Sequence, residues 1–221
     1  MYSYYLECFK TQGGFFVRQI VNINQKWAFA QQTNKIPTAI DETWNIVNLP
    51  HSWNAIDGQD GGNDYFRGTC SYTKKLSMEE LPAGDRIFLE INGANSSADV
   101  YFNGKHLAHH DGGYSTWRVE LTDCIVEENL LTVLVDNSPN ERVYPQTADF
   151  TFYGGLYRNV NLIAVSDAHF TLTNYGGTGI YVTPVMEGTD ARVHVRTEIT
   201  NAKTGDTVHF TILDREGSVV E

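Results

Sequence analysis

The stretch Asp149–Ile163, DFTFYGGLYRNVNLI, decides how the chain is organised. It begins with a carboxylate in a predicted loop, passes through Gly154–Gly155, and continues as an alternating run that starts at Leu156. The glycine pair permits backbone angles that a side chain would forbid, and the alternation predicts a strand. The segments before this stretch predict one β-domain, and the segments after it predict the beginning of another.

Upstream of that stretch the predicted strands are short and are separated by turn residues. Arg86–Asn92 is one, and Ser97–His109 is a hairpin whose Asn103–Gly104 pair suits a type I′ turn. Asn129–Asn137 is apolar enough to be a buried central strand, and Val17–Phe29 predicts a strand pair. Since no segment longer than a turn or two has helical periodicity, we expect an all-β jelly-roll sandwich.

Downstream, the segments Ile180–Pro184, Ala191–Ile199 and Thr207–Leu213 alternate cleanly, which predicts an immunoglobulin-like sandwich. Such a sandwich needs about seven strands, so this one is incomplete. We expect a truncated piece of a longer protein, or pairing with another copy in a homo-oligomer. The predicted parts are a lead-in (1–16), the jelly-roll domain (17–165) and the incomplete immunoglobulin-like β-sandwich (166–221).

Charge and composition restrict the classes of partner. The net charge is −11 with 16 Lys and Arg, which argues against nucleic acid and against anionic membranes. No run is apolar enough to span a membrane. The N-terminus lacks a signal-peptide pattern, which leaves the cytoplasm and the periplasm open. The three cysteines form no metal-ligand pattern, and Cys70 lies in a strand pattern that predicts burial.

One long loop, His51–Asp64, is rich in Gly, Asn and Asp and has no hydrophobic period. Loops of this length in compact domains are often functional. Its carboxylates at Asp57, Asp60 and Asp64 suit a polyol, or a structural cation such as Na⁺, Mg²⁺ or Ca²⁺. A merely solvated loop is the alternative.

Five motifs occur in a recognisable order: VNLPHSW (Val47–Trp53), YFRGTCSY (Tyr65–Tyr72), VYFNG (Val100–Gly104), HHDGGY (His109–Tyr114) and GGLYR (Gly154–Arg158). Together they resemble the N-terminal region of glycoside hydrolase family 2, which contains β-galactosidases, β-glucuronidases and β-mannosidases. The resemblance extends over roughly residues 20 to 221.

The resemblance implies a galactose-binding-like jelly roll, called the sugar-binding domain, and then an immunoglobulin-like domain. In the family a TIM barrel follows and supplies two catalytic glutamates of a retaining mechanism. No barrel is present here, so the resemblance implies no catalytic residue in this chain, no cofactor, and no activity of the chain alone.

The loop Asp57–Asp64 resembles the β-galactosidase branch, which implies a parent acting on terminal β-D-galactosides, with this region framing one wall of its active site. Its partners would be the carbohydrate and the TIM barrel. The alternatives are a β-glucuronidase or β-mannosidase parent, a free-standing carbohydrate-binding module, and a purely structural sandwich.

The candidate substrate-binding residues are carried over from the family. In β-galactosidases an Asp just ahead of the Gly-containing motif contacts substrate hydroxyls, and Asp149 occupies that position. A carboxylate suits this role because it accepts two hydroxyl hydrogen bonds. Asn63 or Asp64 is the nearest match to a loop Asn of the relatives. We expect structural roles for two further residues. Arg158 is expected to donate hydrogen bonds to backbone carbonyls, and Trp53 is expected to be a core residue.

Overall fold

The structure is a computed structural model that describes residues 4–5, 18–57, 64–148 and 150–219. The described residues confirm the all-β class, because their helical content consists of two 3₁₀ turns, Met78–Glu80 and Thr122–Cys124. Neither turn is long and apolar enough to cross a membrane, and nothing else in the described ranges is helical.

The chain divides into two compact units, a sandwich unit (Gln19–Ala164) and a second unit (Met1–Arg18 with Val165–Glu221). The strands are, in chain order, β1 (Tyr4–Tyr5), β2 (Gln19–Asn22), β3 (Trp27–Ala30), β4 (Asn45–Val47), β5 (Thr69–Ser77), β6 (Arg86–Ile91), β7 (Ser97–Phe102), β8 (Lys105–Asp111), β9 (Trp117–Glu120), β10 (Glu128–Asp136), β11 (Val160–Val165), β12 (His169–Phe170), β13 (Ile180–Glu187), β14 (Asp190–Thr197), β15 (Ile199–Thr200) and β16 (Thr211–Ile212).

The sandwich unit contains a six-stranded sheet, β4-β3-β5-β10-β7-β8, and a four-stranded sheet, β2-β11-β6-β9. Apolar side chains from both sheets form one core that includes Trp27, Tyr72, Phe102 and Leu162, all fully buried. Strand β10 lies between β5 and β7, which confirms the predicted central strand. Cys70 is buried as predicted, and burial raises the pKa of its thiol to about 12.

The hairpin prediction is confirmed in detail. Strands β7 and β8 pair antiparallel with Phe102 opposite Lys105. The two turn residues between them, Asn103 and Gly104, have φ values of 54° and 78°. Positive φ at both central positions is what a type I′ turn requires, and it matches the twist of the flanking strands.

The prediction of a strand pair over Val17–Phe29 is wrong, because β2 and β3 belong to different sheets. The residues between them explain the difference. The Ile23 amide donates to the Val160 carbonyl at 3.0 Å, and the Asn24 side chain accepts from the Val160 amide at 2.9 Å. The Asn24 carbonyl also accepts from the Leu49 amide. The chain therefore passes from one sheet to the other here.

Two strands begin later than their alternation predicts. The run from Leu156 enters β11 only at Val160, because the Leu156 carbonyl accepts from the His51 amide. The run from Tyr65 enters β5 only at Thr69, because loop side chains bond the backbone of Phe66. Both strands start late at the same end of the sandwich, where hydrogen bonds from loop residues replace those of a neighbouring strand.

Among its described residues, the second unit contains three antiparallel two-stranded sheets, β1–β16, β12–β15 and β13–β14. The longest is the β13–β14 hairpin, which pairs Ile180 with Thr197 at one end and Glu187 with Asp190 at the other. Its assignment as an incomplete immunoglobulin-like sandwich stays a prediction.

Candidate functional site

The loops at one end of the sandwich are held by the side chain of Asn54, which is fully buried. Its Oδ1 accepts from the Gly154 amide at 2.8 Å and from Nδ2 of Asn137 at 3.1 Å. Its Nδ2 donates to the Phe66 carbonyl at 2.9 Å and to Oδ2 of Asp57 at 3.0 Å. One amide group thus fixes three segments that are distant in sequence, and these segments form the walls of two clefts.

The Gly154–Gly155 pair has an architectural role. A Cβ atom at Gly154 would lie 2.1 Å from Cζ2 of Trp53. Gly155 has a φ of +125°, and a Cβ there would lie 2.5 Å from the His51 carbonyl oxygen. Trp53 packs against the core as predicted. Since no side chain fits at either glycine, the pair allows the chain to pass against the His51–Trp53 segment.

Arg158 also has a structural role, as predicted. Its Nη1 donates to the Tyr114 carbonyl at 2.9 Å and to the Asn92 carbonyl at 3.4 Å. The Tyr157 hydroxyl donates to the Gly113 carbonyl. These bonds fix the turn that follows β8 against the chain leading into β11, so that Tyr114 is held close to Tyr157.

An aromatic cleft of about 290 Å³ lies beside this turn. Tyr114 is 55% exposed and Tyr153 is 43% exposed, although the Tyr114 ring also stacks on Tyr144. Aromatic faces combined with polar tips suit contact with a sugar or with its leaving group. The cleft is lined by Ser52, Asn95, Tyr114, Thr151, Phe152, Tyr153 and Tyr157.

A polar cleft of about 560 Å³ lies between the Arg67 segment and the loop after β10. The Arg67 guanidinium is held by Nε donation to the Asn137 carbonyl at 3.0 Å and by Nη2 donation to Oε1 of Gln146. It therefore places a fixed positive charge at the wall. The lining residues are Arg67, Pro139, Asn140, Glu141, Val143, Pro145, Gln146 and Thr147.

Of the predicted substrate-binding residues, Asp149 and Asn63 lie outside the described residues. Asp64 is exposed, and its carboxylate accepts from the Tyr65 amide at 2.9 Å. Along the chain, Asp64 comes shortly before Arg67 of the polar cleft. Asp149 falls between Thr147 of the polar cleft and Thr151 of the aromatic cleft. The two predicted segments therefore adjoin, in sequence, the walls of these clefts.

The proposed cation ligands do not converge in the described part of the chain. Oδ2 of Asp57 already accepts from the Phe66 amide at 2.9 Å and from the Asn54 side chain. Asp60 lies outside the described residues. The described residues contain no group of three or more His, Cys, Asp or Glu side chains that could hold a metal ion. A structural cation stays a prediction from loop composition.

Residues that build the clefts were not predicted from sequence, notably Asn54, Asn137, Arg67 and Gln146. The Asn54–Asn137 bond joins positions 83 residues apart, so no local pattern marks it. Arg67 lies inside a motif whose alternation predicts a strand. The available signal was indirect: Asn54 lies in the polar loop, and Asn137 directly follows a buried strand.

A charged cluster on β7 and β8 extends to the loop after β10. Nδ1 of His109 lies 3.0 Å from Oδ1 of Asp99, and its Nε2 lies 3.1 Å from Oδ1 of Asp111. Nε of Arg142 donates to Oδ2 of Asp111 at 2.6 Å. Burial lowers the pKa of His109, but the bonds to the two carboxylates outweigh it, so the pKa is raised. Its protonated form, with two donors, suits this position.

We expect His109→Gln to destabilise the protein in a pH-dependent way. Because the folded pKa of His109 is raised, its contribution is fully present below the unfolded value near 6.5 and is lost as pH rises through the folded pKa. The imidazole is 38% exposed, so solvent screening limits the effect to less than about 1 kcal/mol. Urea unfolding of both proteins between pH 5 and 9 measures the difference.

His110→Gln is the matched control, because burial lowers the pKa of His110. The contribution of neutral His110 to the free energy of unfolding is present above its unfolded pKa and is lost as pH falls through its folded pKa. This trend is opposite to that of His109. If the effect of His109→Gln does not vary with pH, the protonated histidine does not hold this cluster.

Comparison with known proteins gives a consistent set of relatives. Residues 63–167 match the family described as glycosyl hydrolase 2 galactose-binding domain-like. A β-glucuronidase of Bacteroides fragilis is 33% identical over 206 residues, which are 92% of this chain and 29% of that protein. A β-galactosidase of Thermoanaerobacter pseudethanolicus is 28% identical over 160 residues, 69% of this chain and 22% of that protein.

Comparison with solved structures gives the same kinds of relatives. The crystal structure of an FMN-binding β-glucuronidase from Facaelibacterium prausnitzii L2-6 matches with a TM-score of 0.79 and 39% identity, over 92% of this chain and 31% of that one. A Bacteroides uniformis β-glucuronidase matches with a TM-score of 0.73 and 30% identity. The chain thus spans less than a third of the length of these relatives.

Proposed function

We propose that the chain is the non-catalytic, sugar-binding region of a retaining β-glycosidase, because residues 63–167 match the family described as glycosyl hydrolase 2 galactose-binding domain-like. The proposed domains are the jelly roll at 17–165 and the immunoglobulin-like part at 166–221. The observation that carries the proposal is the polar cleft, whose lining residues Arg67 and Thr147 are close in sequence to Asp64 and Asp149.

The proposed role is to bind and orient the sugar beside a barrel supplied by the rest of a longer protein. The chemistry of retaining hydrolysis requires two carboxyl groups about 5 Å apart and water, and no cofactor. In this proposal, Arg67 and Thr147 provide hydrogen-bond donors at the wall of the polar cleft. The Asp149 carboxylate accepts hydrogen bonds from sugar hydroxyls. A partner barrel and the carbohydrate itself are the proposed partners.

For the substrate we propose a β-D-glucuronide first. Relatives named β-glucuronidase cover 92% of the chain at 33% and 39% identity, and the fixed guanidinium of Arg67 suits a sugar that carries a carboxylate. A β-D-galactoside is the second candidate. It is supported by the loop Asp57–Asp64 and by relatives named β-galactosidase. The ratio of kcat/KM for the two nitrophenyl glycosides, measured on the full-length enzyme, discriminates between them.

We expect Asp149→Asn in the full-length enzyme to lower kcat/KM at least about tenfold, or about 1.4 kcal/mol of transition-state stabilisation. A carboxylate accepts hydroxyl hydrogen bonds more strongly than an amide oxygen does. The melting temperature should stay within about 2 °C of the parent, since the sequence predicts Asp149 in a loop and exposed loop substitutions change stability little. Asp123→Asn, an exposed carboxylate away from both clefts, is the matched control. Unchanged kcat/KM in Asp149→Asn would refute a substrate contact.

A further inference from the structure

The outer face of the six-stranded sheet carries a groove that the proposed function does not use. Along β7, Ala98, Val100 and Phe102 enter the core, and the alternate residues point to the opposite face. Asp99 and Tyr101 are therefore on the outer face. The groove extends across β5, β10, β7 and β8 and ends against the loop after β10.

This sheet groove has a volume of about 520 Å³, within the range of small-molecule sites. Its walls are mainly polar, with carboxylates, two amides, a guanidinium and a phenol. Carboxylate and amide groups beside an aromatic ring match the hydroxyls and apolar faces of a sugar. The residues on which the argument rests are Thr69, Asp99, Tyr101, Asp136, Asn140 and Arg142.

Asp99 is held in a fixed orientation with one oxygen available. Nε2 of His106 lies 2.8 Å from its Oδ1, and Nδ1 of His109 lies 3.0 Å from the same atom. In the described part of the chain no hydrogen bond engages Oδ2 of Asp99 or the hydroxyl of Tyr101. The Tyr101 ring packs against the His106 ring, with the two ring centroids 4.9 Å apart. Both free groups are thus positioned before any ligand arrives, which reduces the entropy cost of binding.

The charges in the groove select among sugars. Asp99 and Asp136 line it, and Asp111 stands behind His109, whose two ring nitrogens lie against Asp99 and Asp111. Arg142 is committed to Asp111 through Nε. An anionic sugar would meet Asp99 with like charge, whereas a neutral sugar would only donate hydroxyls to it.

We propose that the sheet groove binds a neutral saccharide, with Asp99 and Tyr101 contacting its hydroxyls. The site differs from the polar cleft in the two carboxylates at its wall, Asp99 and Asp136, although Pro139 and Asn140 line both. The two sites therefore share residues of the loop after β10. The inference stands without the proposed function, because it rests on the groove alone.

The test is a titration of the 221-residue chain, followed by ¹H–¹⁵N NMR, with methyl β-D-glucopyranoside, methyl β-D-galactopyranoside and sodium glucuronate. We expect saturable shifts in β7 and β8 with at least one neutral glycoside and none with glucuronate. Asp99→Asn and Tyr101→Phe each keep the side-chain shape, and each should weaken that binding at least tenfold. Asp123→Asn should leave it unchanged.

Circular dichroism and thermal melting establish that the variants are folded before they are titrated. Absence of saturable binding by both neutral glycosides would overturn the proposal, as would binding that neither groove variant weakens. Glucuronate binding in β7 and β8 as tight as that of the neutral glycosides would overturn its charge selectivity.

Discussion

Gly155→Ala is expected to lower the free energy of unfolding of the sandwich unit by about 3–5 kcal/mol. Two costs combine. The φ of +125° is one that L side chains rarely adopt. The new Cβ would also lie 2.5 Å from the His51 carbonyl oxygen and 2.7 Å from the Tyr72 hydroxyl. The first of these contacts is with backbone, so it cannot be relieved by a rotamer change. Urea unfolding followed by tryptophan fluorescence measures the loss.

Gly104→Ala is the matched control for this prediction. Gly104 also has a positive φ, +78°, but a Cβ there meets nothing within 4 Å. It should cost only the left-handed backbone term of about 1–2 kcal/mol. The difference between the two variants isolates the steric term. Equal losses would show that the chain does not pass closely against His51 in solution.

Asn54→Ala is expected to cost about 3 kcal/mol of unfolding free energy and to loosen the polar cleft. The substitution leaves the buried Gly154 amide without its acceptor and removes the donor to the Phe66 carbonyl. Each buried polar group left without a partner costs about 1–3 kcal/mol. Because the Phe66 carbonyl loses its shortest hydrogen bond, trypsin should cleave after Arg67 faster than in the parent. Urea unfolding and timed proteolysis provide the two readouts.

Asn22→Ala serves as the control for Asn54→Ala. Asn22 is an exposed amide that donates to Asn161 at 3.0 Å and accepts from the Asn24 amide at 3.1 Å. Water replaces both partners when it is truncated, so the expected loss is below about 1 kcal/mol. Similar losses in the two variants would mean that the Asn54 amide is not a structural centre.

Features with a local physical cause were predicted from the sequence. The Asn103–Gly104 turn, the central strand β10 and the absence of described helices beyond single turns each depend on a short window. The exchange of sheets between β2 and β3 was not predicted, because the bonds of Asn24 reach residues 135 and 136 positions away. A single sequence read in windows does not contain such pairings.

In the candidate site, too, some residues have the roles that the sequence predicts and others do not. Trp53 and Arg158 have the structural roles that the sequence predicts, whereas the Asn54 network joins residues that no motif connects. Asp149 as a substrate ligand stays a prediction that rests on the family resemblance. In the sequence, Asp149 falls between Thr147 of the polar cleft and Thr151 of the aromatic cleft.

The hydrogen bond from Gly154 to Asn54 spans 100 residues, and this distance has a consequence for how the protein folds. Closing so long a loop costs entropy before any contact is gained, so this end of the sandwich belongs to the slow, high-contact-order part of folding. During synthesis on the ribosome, Oδ1 of Asn54 has no native donor until Asn137 has emerged, and it accepts from the Gly154 amide only after Gly154 follows. At this end of the sandwich, the nascent chain therefore has polar groups without their native partners until the last strand of the sandwich is in place.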